Sequence, residues 1–121
     1  VSENIFSKQI MDAFSNPELD EYLGNQRINR LLITGLDADA CANNTIYAAN
    51  NRAYKILIVE EAILAETQEL KRKKLEEFKN AGFQVIQLDY VKNTLMPGYA
   101  FEQTHFNCQN ANISMSSAIP P

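Results

Sequence analysis

Apolar runs alternate with amphipathic segments along most of this chain. Three runs with little internal alternation, at residues 30–34, 55–60 and 84–88, predict strands that are buried on both faces. Between them, residues 41–52 and 66–80 carry apolar side chains at helical spacing. The order strand, helix, strand, helix, strand predicts a doubly wound, Rossmann-like α/β fold, with a parallel sheet and helices on both of its faces in three layers.

The flanking segments carry weaker patterns. Residues 5–7 are compatible with a short strand, and Asn16 followed by Pro17 predicts a helix start, with Gly24 as its end. Beyond Tyr90 the periodicity dissolves, so we predict a structured unit over residues 1–90 and an irregular C-terminal arm over 91–121. Three sound strands leave one flank of the first strand without a partner, so the sheet is expected to be incomplete on its N-terminal side.

Composition narrows the classes of function. The net charge of -4 argues against nucleic acid as a partner, and the basic run at residues 71–74 is flanked by glutamates on the same predicted helix. No apolar run approaches the roughly 20 residues that span a bilayer, and residues 1–29 contain no secretory signal. The two cysteines, Cys41 and Cys108, can in principle pair, but the composition is not that of a disulfide scaffold, so we predict a cytoplasmic protein.

Cys41 stands out as a candidate nucleophile. It falls at the carboxyl end of a predicted strand and in the first turn of the next helix, where open α/β sheets bind their ligands. The helix dipole and the backbone N–H groups of a first turn favour a thiolate over a thiol. Asp39, two residues earlier, is predicted to cap this helix rather than to act as a catalyst.

The remaining chemistry-bearing residues carry weaker signals. His105 and Cys108 are too few for a zinc site, which needs about four ligands, and no spacing supports a dyad of Cys41 with His105. The chain contains no glycine-rich nucleotide-binding loop. We therefore predict neither a metal nor a cofactor.

The residues around Cys41 resemble a known family. The segment Ile-Thr-Gly-Leu-Asp-Ala-Asp-Ala-Cys-Ala-Asn-Asn-Thr at 33–45 has an acid two residues before Cys41 and a threonine four after it, and Ala49 and Tyr54 continue the pattern. This segment resembles the signature of the isochorismatase-like cysteine hydrolases, which include nicotinamidases and N-carbamoylsarcosine amidases. Lys8 adds a second match, because it stands six residues before Phe14, where the family has its catalytic lysine. The resemblance runs from about residue 5 to residue 88.

The resemblance implies an Asp–Lys–Cys triad. Cys41 would attack an amide or carbamoyl carbon and form an acyl-enzyme, and Lys8 would favour its thiolate. The backbone N–H groups of Cys41 and Asp37 would form the oxyanion hole, with a cis peptide bond between Leu36 and Asp37. The family's catalytic Asp comes before its lysine, and the Asp and His metal ligands of nicotinamidases would lie in the same region. No strand ending in Asp precedes Lys8 here.

Two functions follow from this pattern. Residues 1–90 are expected to be the C-terminal part of an isochorismatase-like domain whose Asp comes from an absent N-terminal segment or a second chain. The first function is a cysteine hydrolase that cleaves a C–N bond of a small amide or carbamoyl substrate, with a homo-oligomer expected. The alternative is a catalytically inactive relative that acts as an interaction or scaffold protein. The sequence leaves the substrate open.

Overall fold

The computed structural model describes residues 3–95 and the backbone of residues 106–107 and 112–116. The strands are β1 (Glu3–Ser7), β2 (Arg30–Gly35), β3 (Lys55–Ile63), β4 (Gln84–Ile86), β5 (Phe106–Asn107) and β6 (Asn112–Ser116). The helices are α1 (Pro17–Asn25), α2 (Cys41–Asn51), α3 (Gln68–Asn80) and α4 (Leu88–Tyr90), with a 3-10 turn at Ala13–Ser15 and a π-helical turn at Val91–Leu95.

The three predicted central strands form a parallel sheet. Their order is β2-β3-β4, with Leu31 opposite Ile56 and Ile58 opposite Val85. The β2–β3 register shifts after Ile33, so that Gly35 pairs with the last residue of β3. The predicted α/β class, a parallel sheet flanked by helices, is confirmed.

One apolar core joins this sheet to the helices. Its buried residues come from every long element around the sheet: Ala13, Phe14, Leu19, Leu23, Leu31, Ile33, Ala38, Ala42, Ile46, Ala49, Ile56, Ile58, Ile63, Leu75 and Phe78. Phe78 is fully buried. Its ring is tilted by 51° against that of Tyr47 and meets the ring of Phe83 edge to face. Because each large apolar side chain stabilises the fold by about 1.5–3 kcal/mol when it is buried, this core fixes α2 and α3 on the sheet.

Some element ends differ from the predictions. Gly24 lies inside α1, which ends one residue later, and the chain reverses at Arg27 with a φ of 56°. Strand β4 ends two residues earlier than predicted, because the backbone N–H of Leu88 donates to the carboxylate of Glu61 and begins α4 there. The end of α1 is set by local main-chain bonds, such as that from the N–H of Arg27 to the carbonyl of Gly24, whereas the end of β4 depends on a contact between residues 27 positions apart in sequence.

The stretch beyond Tyr90, predicted to be irregular, contains regular structure in its described backbone. Strand β6 pairs antiparallel with β1, from Glu3 opposite Ser116 to Ser7 opposite Asn112, and β5 pairs with β6. The division of the chain at residue 90 stays a prediction. His105 and Cys108 lie outside the described residues. Within the described ranges, no helix is both long enough and apolar enough to cross a membrane.

Candidate active site

The loop between β2 and α2 is fastened to the end of the neighbouring strand. Gly35 has a φ of 121°, which favours glycine, and its carbonyl accepts a hydrogen bond of 2.9 Å from the N–H of Leu64. The carbonyl of Leu64 in turn accepts a bond of 2.8 Å from the N–H of Ala38, which is fully buried. These bonds hold the loop at the carboxyl edge of the sheet, where open α/β folds place their ligands.

The start of α2 is organised by main-chain groups. The carbonyl of Asp37 accepts bonds from the N–H groups of Ala40 (3.0 Å) and Ala42 (3.1 Å). The predicted cap, Asp39, is wrong: the N-cap residue is Ala40, no side chain caps the helix, and Asp39 is exposed. The carbonyl of Asp37, rather than a side chain, accepts the hydrogen bonds from the N–H groups of Ala40 and Ala42 at the start of the helix. The peptide bond between Leu36 and Asp37 is cis, as the resemblance implied.

Lys8 and Cys41 meet in the interior. Cys41 is the first residue of α2 and is fully buried, while Lys8 follows β1 and is 3% exposed. The Nζ of Lys8 lies 3.4 Å from the Sγ of Cys41 and donates a bond of 3.1 Å to the carbonyl of Ile10. Two residues that are 33 positions apart in sequence are therefore in contact.

Burial governs the charge of this lysine. Desolvation lowers the pKa of Lys8 below its ordinary value of 10.5, and the carboxylate of Asp12 opposes that shift through its negative charge. A buried ammonium is tolerated only where polar partners surround it. Here the Ile10 carbonyl and the Cys41 sulfur are within reach.

The oxidation state of Cys41 bears directly on its chemistry. Cys41 is disulfide-bonded in this structure, although the composition predicted no disulfide scaffold. Cys108, the other cysteine of the sequence, lies outside the described residues. Nucleophilic attack requires a thiolate, so any reaction at this sulfur requires its reduction first.

The loop that carries Lys8 is anchored on both sides. Asp12 caps the 3-10 turn by accepting a bond of 2.8 Å from the N–H of Phe14. The buried Phe14 ring stacks on Tyr54 at 5.6 Å, and the guanidinium of Arg52 lies 4.8 Å above it. On the opposite side, the hydroxyl of Thr45 accepts a hydrogen bond of 3.0 Å from the backbone N–H of Ala13.

The sequence missed this anchoring role of Thr45, Asp12 and Arg52. The signal that was available for Thr45 was its position four residues after Cys41, which places both on one side of a helix. Nothing local marks which backbone groups its hydroxyl would meet.

Other parts of the described structure do not extend this site. A cavity of about 330 Å³ is lined by residues that include Arg30, Lys55 and Gln84, the first residues of β2, β3 and β4. Neither Lys8 nor Cys41 lines it. Across the described ranges, no three His, Cys, Asp or Glu side chains converge where a metal could be held.

The protein is an α/β protein with a lysine–cysteine contact at the carboxyl edge of its parallel sheet. The sequence model of the isochorismatase domain matches residues 1–89. The chain belongs to the isochorismatase family.

Solved structures of nicotinamidases and of an isochorismatase family protein are similar to this chain. The chain is similar to the nicotinamidase from Staphylococcus aureus, with 34% identity and a TM-score of 0.61 over 66% of this chain and 50% of that one. It is also similar to the nicotinamidase from Bacillus subtilis, with 32% identity and a TM-score of 0.61 over 64% and 44%. An isochorismatase family protein from Desulfovibrio vulgaris shares the fold, with 22% identity and a TM-score of 0.68 over 74% and 47%. The chain thus spans about half the length of the proteins that it matches.

Proposed function

We propose that this chain carries the cysteine and lysine of a hydrolase site that cleaves a C–N bond in a small amide or carbamoyl compound. The observation that carries the proposal is the contact of 3.4 Å between the Lys8 Nζ and the Cys41 Sγ, in the interior and at the amino end of α2. A buried ammonium and a helix amino end both favour a thiolate, which is the nucleophilic form of cysteine.

The reaction has two halves. In the first, the reduced Cys41 thiolate attacks the carbonyl carbon and forms a C–S bond, the C–N bond breaks, and the nitrogen leaves with a proton from the carboxylic acid of the proton carrier. In the second, water attacks the thioester, or the thiocarbamate formed from a carbamoyl substrate, and returns a proton to that carboxylate; the C–S bond breaks, the acid leaves and the Cys41 thiolate is regenerated. The backbone N–H groups of Cys41 and Asp37 would bind the oxyanion. That of Cys41 lies in the first turn of α2, where main-chain amides are oriented to bind negative charge, and that of Asp37 lies in the loop before the helix.

The proton carrier is the part of the site that we assign to another segment. We propose an aspartate from polypeptide on the N-terminal side of this chain, or from a second chain, that packs beside β2. Two observations support this. The chain spans only 50% of the Staphylococcus aureus nicotinamidase, and β2 is the outer member of the described parallel sheet. A homo-oligomer remains part of the proposal.

The substrate class comes from the relatives. Because two nicotinamidases are 34% and 32% identical to this chain over the matched region, nicotinamide is the first amide to test. A carbamoyl compound and a ureido compound complete the panel. Nicotinamide releases ammonia directly, and a carbamoyl or ureido compound with a terminal NH2 group releases it either directly or when the carbamic acid product breaks down, so one ammonia assay covers all three.

The experiment compares the reduced chain alone with the chain co-expressed with the polypeptide encoded immediately before it. Intact mass identifies any species that co-purifies with the 13.7 kDa chain. We expect ammonia release by the assembled protein, loss of release in Cys41→Ala, and an acyl adduct on Cys41 by mass spectrometry. A properly folded assembly that releases nothing from the panel and forms no adduct would overturn the proposal and favour the scaffold alternative.

A further inference from the structure

Thr45 links the helix of the nucleophile to the loop of the lysine. It lies one turn after Cys41 on α2 and is 2% exposed. Its hydroxyl accepts a bond of 3.0 Å from the N–H of Ala13 and donates one of 3.5 Å to the carbonyl of Met11. Both partners lie in the segment between β1 and α1, so one side chain bonds the loop in two places.

The same loop fixes Lys8. The Lys8 ammonium donates to the carbonyl of Ile10 at 3.1 Å, next to the Met11 carbonyl that Thr45 binds. The residue before the lysine, Ser7, is also held, because its carbonyl accepts a bond of 2.8 Å from the side chain of Asn16. Displacement of the loop from α2 would therefore carry the ammonium away from the sulfur.

We propose that Thr45 is a positioning residue, which sets the separation of the Lys8 Nζ and the Cys41 Sγ by holding residues 8–15 against the helix that Cys41 begins. It acts through Lys8 and is not a catalytic residue. The inference rests on the proposed function, because the lysine–cysteine pair is the reactive unit there.

Residue chemistry supports a role for the hydroxyl itself. A buried hydroxyl costs free energy unless it is hydrogen-bonded, and threonine is a poorer helix former than alanine or leucine. The Thr45 hydroxyl offsets that cost by serving as acceptor for one main-chain group and donor to another. Valine would fill the same space without either bond.

The test measures how fast iodoacetamide alkylates Cys41 in the full reduced chain. Thr45→Val removes the hydroxyl at nearly constant volume, and we expect it to slow alkylation about threefold to tenfold, the range that one or two lost hydrogen bonds produce. Thr45→Ser keeps the hydroxyl and should react within about twofold of the unaltered chain. Should Thr45→Val not fold, Thr45→Ala removes the same hydroxyl and answers the same question.

The decisive readout is coupling to Lys8. If Thr45 acts through the lysine, then Thr45→Val has no further effect on alkylation in a chain that already carries Lys8→Met. Independent, multiplicative effects of the two substitutions would overturn the inference, because they would indicate a general loss of structure. Val91→Ala, in the separate apolar cluster of Val59 and Val91 that contains no residue of α2, supplies a destabilised control. Because Cys41 is fully buried, a general loss of structure would speed its alkylation, so this control should not be slower than the unaltered chain.

The two proposals fail in different ways. If Lys8→Met reacts as fast as the unaltered chain, the role of Lys8 in the proposed function is wrong. If Lys8→Met is slow but Thr45→Val reacts at the unaltered rate, the lysine–cysteine pair stands and only the positioning role of Thr45 is wrong.

Discussion

Replacement of Lys8 by methionine removes the ammonium beside Cys41 and leaves an unbranched side chain of similar length. The distance between Nζ and Sγ is 3.4 Å. Two unit charges about 4 Å apart attract by about 4 kcal/mol at an effective dielectric constant of about 20. Because burial of both charges offsets part of this attraction, we expect a net loss of about 1.4–3 kcal/mol of thiolate stabilisation in the variant. That loss corresponds to a tenfold to roughly hundredfold decrease in thiolate population.

The assay follows alkylation of the reduced chain by iodoacetamide at neutral pH, with the Cys41 peptide quantified by mass spectrometry. Lys8→Met should react about tenfold to hundredfold more slowly, because only the thiolate is nucleophilic. Lys8→Arg keeps a positive charge and should retain part of the rate. Lys73→Met, at an exposed position of α3, is the matched control and should react at the unaltered rate. Equal rates for Lys8→Met and the unaltered chain would refute the electrostatic reasoning.

Three further outcomes follow from the same contacts. With Cys41 disulfide-bonded and therefore uncharged, burial lowers the pKa of Lys8 below 10.5, so the native state releases this proton before the unfolded state does. Urea titrations of the unreduced chain should show the free energy of unfolding rising with pH up to about 10.5, and Lys8→Met should lack that rise. Burial and the hydrogen bond of 2.6 Å to Asp20 raise the pKa of Tyr54, so stability should fall above about pH 10; Tyr54→Phe should lack this fall and lose about 1 kcal/mol at neutral pH. Since Cys41 is disulfide-bonded in the structure, it should resist iodoacetamide until a dithiol reductant is added, and equal labelling before and after reduction would contradict this.

The local pattern of apolar residues was sufficient to predict the parallel sheet and the position of Cys41 at the start of a helix. The apolar run that became β3 lacks alternation because both faces of the strand are covered at residues 56–59, and that property is visible in the sequence itself. In β2, by contrast, Leu31 and Ile33 are buried and the residue between them is only half-buried, so the predicted burial on both faces is wrong for that strand. The start of α2 at Cys41 was likewise predictable from the strand that precedes it. Both depend on neighbours in sequence.

Contacts between distant segments were not predictable in this way. The pairing of β1 with β6 joins residues 3–7 to residues 112–116, and neither segment has a periodicity that identifies its partner. The cap at Asp39 failed for a related reason, because the loop is held by bonds to Leu64 that place the Asp37 carbonyl, not a side chain, at the helix start. Lys8 was found only through its spacing from Phe14 in a family pattern, since an isolated lysine carries no signal of burial.

The burial of Lys8 is itself an argument about function. Its lowered pKa means that the native structure disfavours the charged form relative to the unfolded chain, so the ammonium costs stability at neutral pH. Methionine at this position would avoid that cost and still contact the buried surroundings. We therefore expect Lys8→Met, with Cys41 disulfide-bonded, to be at least as stable as the unaltered chain at neutral pH in thermal unfolding, while after reduction its Cys41 reacts more slowly. A clear loss of stability in this variant would instead mean that Lys8 is retained for the hydrogen bond to Ile10, and that its effect on the thiolate is secondary.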